Sequence, residues 1–220
     1  MSVTEKAGLT SMTVFIGWAG ETSKAIASIL RNWLAGMFDN HINIFTPDNL
    51  ATGSLWFVAL NEALTTVVDC GLLCLTADNA NSPWLAYEAG ALRQKTELVI
   101  PLLFEVSSVM QLSDPLRRFP ALSFGFESML EVVYQLNDLC GDKRLSEQEL
   151  ERRFQARYPT LQALIKEKLS EMKSQVLPTP DNSTHDSKFD EILSRLTELQ
   201  EGLAGLQTKI SPANSPRVNL

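Results

Sequence analysis

The sequence predicts an α/β fold in which helices cover both faces of an open, doubly wound parallel sheet. Short β-branched and apolar runs alternate with segments of helical apolar spacing, and this order favours parallel strands joined by right-handed crossovers. One run, Asp69–Thr76, is apolar on both of its faces, as a central parallel strand must be. A hydrophobic fraction of 45% beside 20% charged residues is enough to form a core.

The predicted strands are short apolar runs that end in turn-forming residues. Met12–Gly17 closes on a glycine, and Ile42–Thr46 precedes a loop of Pro, Asp, Asn and Gly. The third and fourth strands are Asp69–Thr76 and Leu98–Phe104. In such sheets ligands bind outside the carboxyl ends of the strands. The predicted binding edge therefore consists of three loops: Trp18–Glu21, Thr46–Gly53 and Ala77–Pro83.

The helices predicted between the strands carry apolar residues three and four positions apart. In Glu21–Phe38 these residues are Ile26, Ile29, Leu30, Trp33, Leu34 and Met37. The next two helices are Leu55–Thr66 and Pro83–Lys95, the second of which opens with a proline, a residue favoured at a helix start.

Three further helices are predicted after the fourth strand. They are Glu127–Leu139, Ser146–Arg157 and Thr160–Lys173. Ser146 and Glu149 have the spacing of a capping box, and Pro159 separates the last two helices.

The domain organisation follows from changes in composition. Residues 1–11 are predicted to be a flexible N-terminus, 12–175 the α/β domain with its C-terminal helices, and 176–186 a linker with two prolines. Residues 187–210 are predicted to form an amphipathic or coiled-coil helix, and 211–220 a disordered tail.

The segment 187–210 contains a heptad pattern of apolar residues. Its members are Phe189, Ile192, Leu196, Leu199, Leu203, Leu206 and Ile210. Such a pattern is typical of a short coiled coil, and we favour self-association through it. The alternative is a helix folded back on the domain, because Gly202 and Gly205 would weaken an isolated dimer.

The charge and the cysteine content exclude several classes of protein. A net charge of −7 lacks the basic field of a phosphate-backbone binder, so we expect no direct nucleic-acid partner. Three cysteines, two of them in an apolar run, suit reduced core thiols. The apolar run Leu98–Phe104 is interrupted by Pro101 and is far shorter than the roughly 20 residues of a membrane span. We therefore expect a cytoplasmic protein without a membrane contact.

Few catalytic side chains are available. The two histidines, His41 and His185, lie in a predicted turn and in the predicted linker, which argues against a Ser-His-Asp triad and an HExxH zinc site. Cys70 and Cys74 are four apart in a predicted strand, and packing is the favoured interpretation. No P-loop or GxGxxG motif is present. We expect neither a metal nor a bound cofactor.

Trp84 and Glu88 stand out at the predicted binding edge. They are four residues apart and share one face of a helix. A carboxylate beside an indole can have a raised pKa and can stabilise a cationic transition state, as glycosidic cleavage requires. From composition alone, the favoured interpretation is that Trp84 packs in the core and Glu88 is solvated.

Several spaced segments resemble bacterial TIR (Toll/interleukin-1 receptor) domains. These segments are FIGWAGETSK, TPDNLATGSLW, GLLCLTADNANSPW, YEAGAL and IPLLF. The resemblance covers roughly residues 12–172 and implies a flavodoxin-like sheet. It also implies cleavage of the nicotinamide glycosidic bond of NAD⁺, with the glutamate of a W-x-x-x-E pattern as catalytic residue. That pattern falls on Trp84 and Glu88.

The same resemblance implies the residues around the substrate. Gly17 and Trp18 occupy the position of the family's first ligand loop, Trp56 begins the helix after the mobile loop, and Trp84 accompanies Glu88. Asn49 stands where the family has a loop aspartate beside an apolar residue. NAD⁺ is thus expected as a substrate.

The sequence departs from the family pattern at four positions. Gly17 replaces a serine, Thr22 and Leu55 replace arginines, and Asn49 replaces an aspartate. The loss of two arginines near a pyrophosphate weakens the expected binding of NAD⁺.

The leading hypothesis is an NAD⁺ glycohydrolase of bacterial antiphage immunity that is activated by self-assembly, with linear or cyclic ADP-ribose as product. Homo-oligomers would form through TIR–TIR contacts and residues 187–210, and another defence-system protein is a candidate partner. The main alternative is a non-catalytic TIR adaptor. A nucleoside or nucleotide hydrolase on the same sheet is a third possibility.

Overall fold

A parallel sheet forms the centre of the computed structural model, which describes residues 12–49 and 56–175. Within those residues the strands are β1 Thr13–Gly17, β2 Asn43–Phe45, β3 Cys70–Thr76, β4 Val99–Phe104 and β5 Leu122–Ser123. Their order is β2-β1-β3-β4-β5, and every neighbouring pair is parallel. This is the strand order of the flavodoxin-like doubly wound fold. The predicted fold class is therefore confirmed.

Helices cover both faces of this sheet. In the described ranges they are α1 Glu21–Met37, α2 Trp56–Thr66, α3 Pro83–Arg93, α4 Phe126–Asp138 and α5 Glu147–Gln175. Helix α1 packs against α5, and α4 packs against α5 beside it, whereas α2 and α3 pack against each other. Helices α1, α4 and α5 thus cover one face and α2 and α3 the other.

The side chains of β3 alternate between these two layers. Cys70 and Cys74 belong to the core shared with α1, α4 and α5, while Gly71 lies against Leu92 of α3. All seven residues of β3 are buried. Both cysteines are free thiols in the core, in agreement with their predicted packing role.

One long helix, α5, replaces two predicted ones. Pro159 lies inside α5, so the prediction of a break at this residue was wrong. A proline inside a helix costs about 3 kcal/mol because the carbonyl four residues earlier loses its donor. Here that carbonyl belongs to Gln155, which is exposed, as is Pro159. The opposite side of α5 buries Phe154 and Leu161, and burial of two such side chains is enough to offset the cost.

The junction between α1 and α5 is held by polar contacts as well. The indole N–H of Trp33 donates to the Arg157 carbonyl oxygen at 3.1 Å. Arg153 donates to the Met37 carbonyl oxygen at the end of α1 and pairs with Asp39 and Glu149. Arg153 and its neighbour Arg152 lower the pKa of Glu149 to about 2.

The strand β5 was not predicted, because a two-residue strand gives no periodic signal. The other predicted elements differ from the observed ones by one or two residues at their ends, as helix and strand ends commonly do. The predictions for residues 1–11, 176–186, 187–210 and 211–220 lie outside the described residues. In the described part of the chain no helix has both the length and the apolar character required to cross a bilayer.

Candidate functional site

The sheet has a topological switch point between β1 and β3. The chain leaves β1 toward α1 on one face and leaves β3 toward α3 on the other. In open α/β sheets, the crevice outside the carboxyl ends of such strands is the usual ligand site. The candidate site is therefore built from the residues that follow Gly17 and Thr76.

Asn79 joins the two loops at this crevice. Its Nδ2 donates to the carbonyl oxygens of Ala19, at 2.9 Å, and Cys74, at 3.1 Å. Its Oδ1 accepts the backbone N–H of Thr76 at 2.8 Å. The side chain is buried, so these bonds lie away from water and fix one loop against the other. Asn79 was not among the sequence-predicted site residues, although it lies inside the LTADNANSPW segment.

The loop after β1 is also fixed from the side of α1. The Ser23 hydroxyl accepts from the Ala19 N–H at 3.0 Å and donates to the Ala19 carbonyl oxygen at 2.6 Å. Gly20 between them has a φ of 82°, which is readily adopted only by glycine.

Helix α3 begins at the same edge of the sheet. Ser82 is its N-cap, with its hydroxyl accepting from the Leu85 N–H, and Pro83 occupies the first turn. This start directs Trp84 and Glu88, one turn apart, into the interior, and both are fully buried. Trp84 therefore packs in the core, as one interpretation of the sequence predicted. The same interpretation predicted a solvated Glu88, which is wrong.

The Glu88 carboxylate lies at the carboxyl end of β1. Its Oε2 is 2.5 Å from the point that a Cβ atom on Gly17 would occupy. Neither carboxylate oxygen has a hydrogen-bond partner of normal geometry among the described residues. Burial raises the pKa of Glu88 well above the ordinary carboxyl value, and the Trp84 side chain offsets only part of this rise.

Two other titratable groups interact with Glu88. Cys74 on β3 and Tyr87 on α3 each have a pKa raised first by burial and further by the nearby Glu88 carboxylate. The Tyr87 hydroxyl donates to Asn61 of α2 at 2.9 Å. A carboxyl group in such a setting favours its neutral form.

The other sequence-predicted site residues lie in the loop after β1, in a 3-10 helix and at the start of α2. Trp18 belongs to the core layer of α1, and its ring centroid is 4.9 Å from Lys24 Nζ. Asn49 ends a 3-10 helix that begins at Pro47, and Trp56 is the first residue of α2. The side chains of Asn49 and Trp56 are not among the described atoms. The structure thus brings together Gly17, Trp84 and Glu88.

A separate groove of about 720 Å³ lies between α3 and residues 114–120. Its lining includes Gly90, Arg93, Asp114 and Arg118, and no sequence-predicted site residue. Across residues 12–49 and 56–175, no three His, Cys, Asp or Glu side chains are grouped so that they could hold a metal ion. His41 is exposed, as its predicted turn position requires.

No protein-family model matches the chain, and no curated protein matches it. Among solved structures, it is similar to the TIR domains of the activated Roq1 resistosome, which directly recognises the pathogen effector XopQ. The two chains are 16% identical, the match covers 74% of this chain and 99% of the other, and the TM-score is 0.39. The fold assignment rests on the strand order and the helix placement described above.

Proposed function

We propose that this chain is a TIR-type domain that hydrolyses the N-glycosidic bond of NAD⁺, with Glu88 as the catalytic carboxylate. The observation that carries the proposal is the position of Glu88, which lies beside the end of β1 and one turn after Trp84. The TIR-like sequence segments supply the substrate class. A role in bacterial antiphage immunity and activation by self-assembly follow from the same resemblance.

The reaction requires a negative charge near the breaking bond. When the bond between the ribose C1′ and the pyridinium nitrogen breaks, its electron pair leaves with nicotinamide, which departs as a neutral molecule. The ribosyl group becomes an oxocarbenium-like cation, which ionised Glu88 would stabilise. Water then bonds to C1′ and releases a proton, so the products are ADP-ribose, nicotinamide and H⁺.

The burial of Glu88 sets a condition on this activity. Its side chain has no exposed surface, so contact with a substrate requires a change of conformation that exposes the carboxylate. Ionisation must accompany that change, because the buried site favours the neutral acid. Assembly of several chains is the proposed trigger.

The alternative is a TIR adaptor that binds other TIR domains without catalysis. The complete burial of Glu88 favours this alternative. The presence of Thr22 and Leu55 in place of the family's arginines favours it as well.

A nicotinamide-release assay separates the two functions. The full-length protein, purified and concentrated, is incubated with NAD⁺ beside the variants Glu88→Gln and Glu97→Gln. The second variant is a matched control, since Glu97 is exposed and lies beyond the end of α3. We expect wild type and Glu97→Gln to release nicotinamide, and Glu88→Gln to release none while it remains folded.

Two results would change the assignment. Equal release by wild type and Glu88→Gln would remove Glu88 from catalysis. No release by any of the three proteins over a wide concentration range would favour the adaptor.

A further inference from the structure

We propose that Gly17 is a positioning residue for Glu88, because the missing side chain at the end of β1 creates the space in which the Glu88 carboxylate lies. The sequence resemblance places Gly17 in contact with the substrate instead. This inference deepens the proposed function. It rests on the proposed function only for the claim that Glu88 is catalytic.

Three side chains lie close to the position that a Cβ atom on Gly17 would occupy. A Cβ atom there would lie 2.5 Å from Glu88 Oε2, 2.6 Å from Leu73 Cδ2 and 2.9 Å from Phe15 Cε1. Real Cβ atoms essentially never approach other heavy atoms this closely. Phe15, Leu73 and Glu88 are fully buried, and side chains in a close-packed core have little room to move aside.

The requirement for glycine at this position is spatial rather than conformational. The positive-φ glycines of the described chain are Gly20 and Gly141, so the backbone at Gly17 is one that any residue can adopt. Gly20 shows the opposite case, with a φ of 82° and no atom within 4 Å of the position that a Cβ would take. A methyl group at position 17 would therefore act through its steric contacts. Of the three contacted groups, the Glu88 carboxylate is the polar one.

The Glu88 carboxylate lies in an apolar site beside Phe15 of β1 and Leu73 of β3. Among the described residues, the titratable groups whose pKa values this carboxylate raises are Cys74 and Tyr87. Displacement of the carboxylate from this space changes its surroundings and its desolvation. The pKa of Glu88, which burial raises, then shifts.

The experiment measures the titration of Glu88 directly in the full-length protein. Carboxyl ¹³C resonances of glutamate-labelled wild type are recorded across a pH series, and the Glu88 resonance is assigned from its loss in Glu88→Gln. The test variant is Gly17→Ala. The matched control is Gly90→Ala, which adds the same methyl group on α3 where nothing lies within 4 Å.

We expect the titration midpoint of Glu88 to shift in Gly17→Ala and to stay at the wild-type value in Gly90→Ala. A midpoint in Gly17→Ala equal to the wild-type value would overturn the proposal. These outcomes do not depend on any activity.

A stability cycle covers the case in which Gly17→Ala does not fold well. The variants Gly17→Ala, Glu88→Ala and the double variant are compared by urea denaturation. If the carboxylate occupies the space, Gly17→Ala lowers the unfolding midpoint less in the Glu88→Ala background than in wild type. Part of the loss remains in that background, because the added methyl group still contacts Leu73 and Phe15. Strictly additive losses would overturn the proposal.

The proposed function can fail separately from this inference. If Glu88→Gln still releases nicotinamide, Glu88 is not catalytic, while the titration and the stability cycle still report on the contact with Gly17. If nicotinamide release depends on Glu88, the acid limb of the pH profile of kcat should shift with the titration midpoint in Gly17→Ala and stay in place in Gly90→Ala.

Discussion

The side chain of Asn79 and the backbone of Ala19 are joined across the switch point of the sheet, where Nδ2 donates to the Ala19 carbonyl oxygen at 2.9 Å. The two residues are 60 positions apart in the chain, and they belong to loops that lead to opposite faces. This bond fixes the width of the crevice at the end of β1 and β3. The shape of the candidate site therefore depends on a residue that contacts no substrate in the proposed reaction.

We expect Asn79→Ala to destabilise the fold by about 1–3 kcal/mol, the usual cost of leaving buried polar groups unpaired. The Cys74 carbonyl oxygen and the Thr76 N–H both lose their bonds to the Asn79 side chain. Urea denaturation gives the measurement. Asn81→Ala is the control, because Asn81 is exposed in the same loop, and equal losses in the two variants would contradict the role of Asn79.

Glu88 should make stability depend on pH in a particular direction. Its pKa is raised in the folded protein, so the folded state holds the proton more tightly than the unfolded state does. The contribution of the neutral acid is fully present below the unfolded pKa, near 4.5, and it is lost as pH rises toward the folded pKa.

The comparison of wild type with Glu88→Gln isolates this contribution. We expect the unfolding free energy of wild type, relative to the variant, to fall as pH rises from 4.5. If the difference in unfolding free energy between the two proteins stays constant as pH rises from 4.5, Glu88 keeps an ordinary pKa. Glu149 has a pKa lowered to about 2, so it changes stability only below pH 4.5, and it is present in both proteins.

Trp84 has two separable effects, which two substitutions can distinguish. Trp84→Ala removes a fully buried indole and should cost about 3–5 kcal/mol of stability. Trp84→Phe keeps an aromatic ring in place but removes the indole N–H. Because the Trp84 side chain lowers the pKa of Glu88, we expect the phenylalanine variant to raise the carboxyl ¹³C titration midpoint of Glu88. An unchanged midpoint in Trp84→Phe would show that the indole does not favour the ionised acid.

Residues 178–220 provide a test of assembly that is independent of the site chemistry. Their heptad pattern predicts weak, concentration-dependent association, and a tethered domain gains effective concentration from it. We expect a chain that ends at Leu177 to stay folded, to sediment as a smaller species and to lose the rise of specific activity with protein concentration. The double variant Leu196→Asp and Leu203→Asp should behave in the same way, because each charge must be desolvated on association.

Sedimentation velocity beside the nicotinamide assay checks this prediction. If the shortened chain associates and turns over like the full-length protein, residues 178–220 do not drive assembly. The folded-back helix would then be the better interpretation of the heptad pattern.

The fold could be predicted from the sequence where a local pattern dominates. The apolar run that became β3 and the spacing of Ile26 and Leu30 in α1 are such patterns, and both match the structure. The prediction failed at Pro159, because packing of α5 against α1 outweighs the local preference of one residue. It also missed β5, whose two residues are defined by pairing with β4 and not by their own sequence.

The candidate site was predictable only in part. The spacing of Trp84 and Glu88 and the placement of their helix after β3 indicated the shared face and the edge of the sheet. The complete burial of Glu88, its contact with Gly17 and the bonds of Asn79 join segments that are far apart in the chain. Such relationships depend on how the layers pack, and no short sequence window contains them.

The salt bridge between Lys173 and Glu105, at 2.7 Å, has a practical consequence for labelling the protein. Glu105 directly follows β4, so the last turn of α5 lies at the carboxyl edge of the sheet, the edge at which β1 and β3 also end. A fluorophore attached at Lys173 would therefore start from the edge that holds the candidate site. The chain enters β1 at Thr13 on the opposite edge, so a label placed there would start away from the crevice.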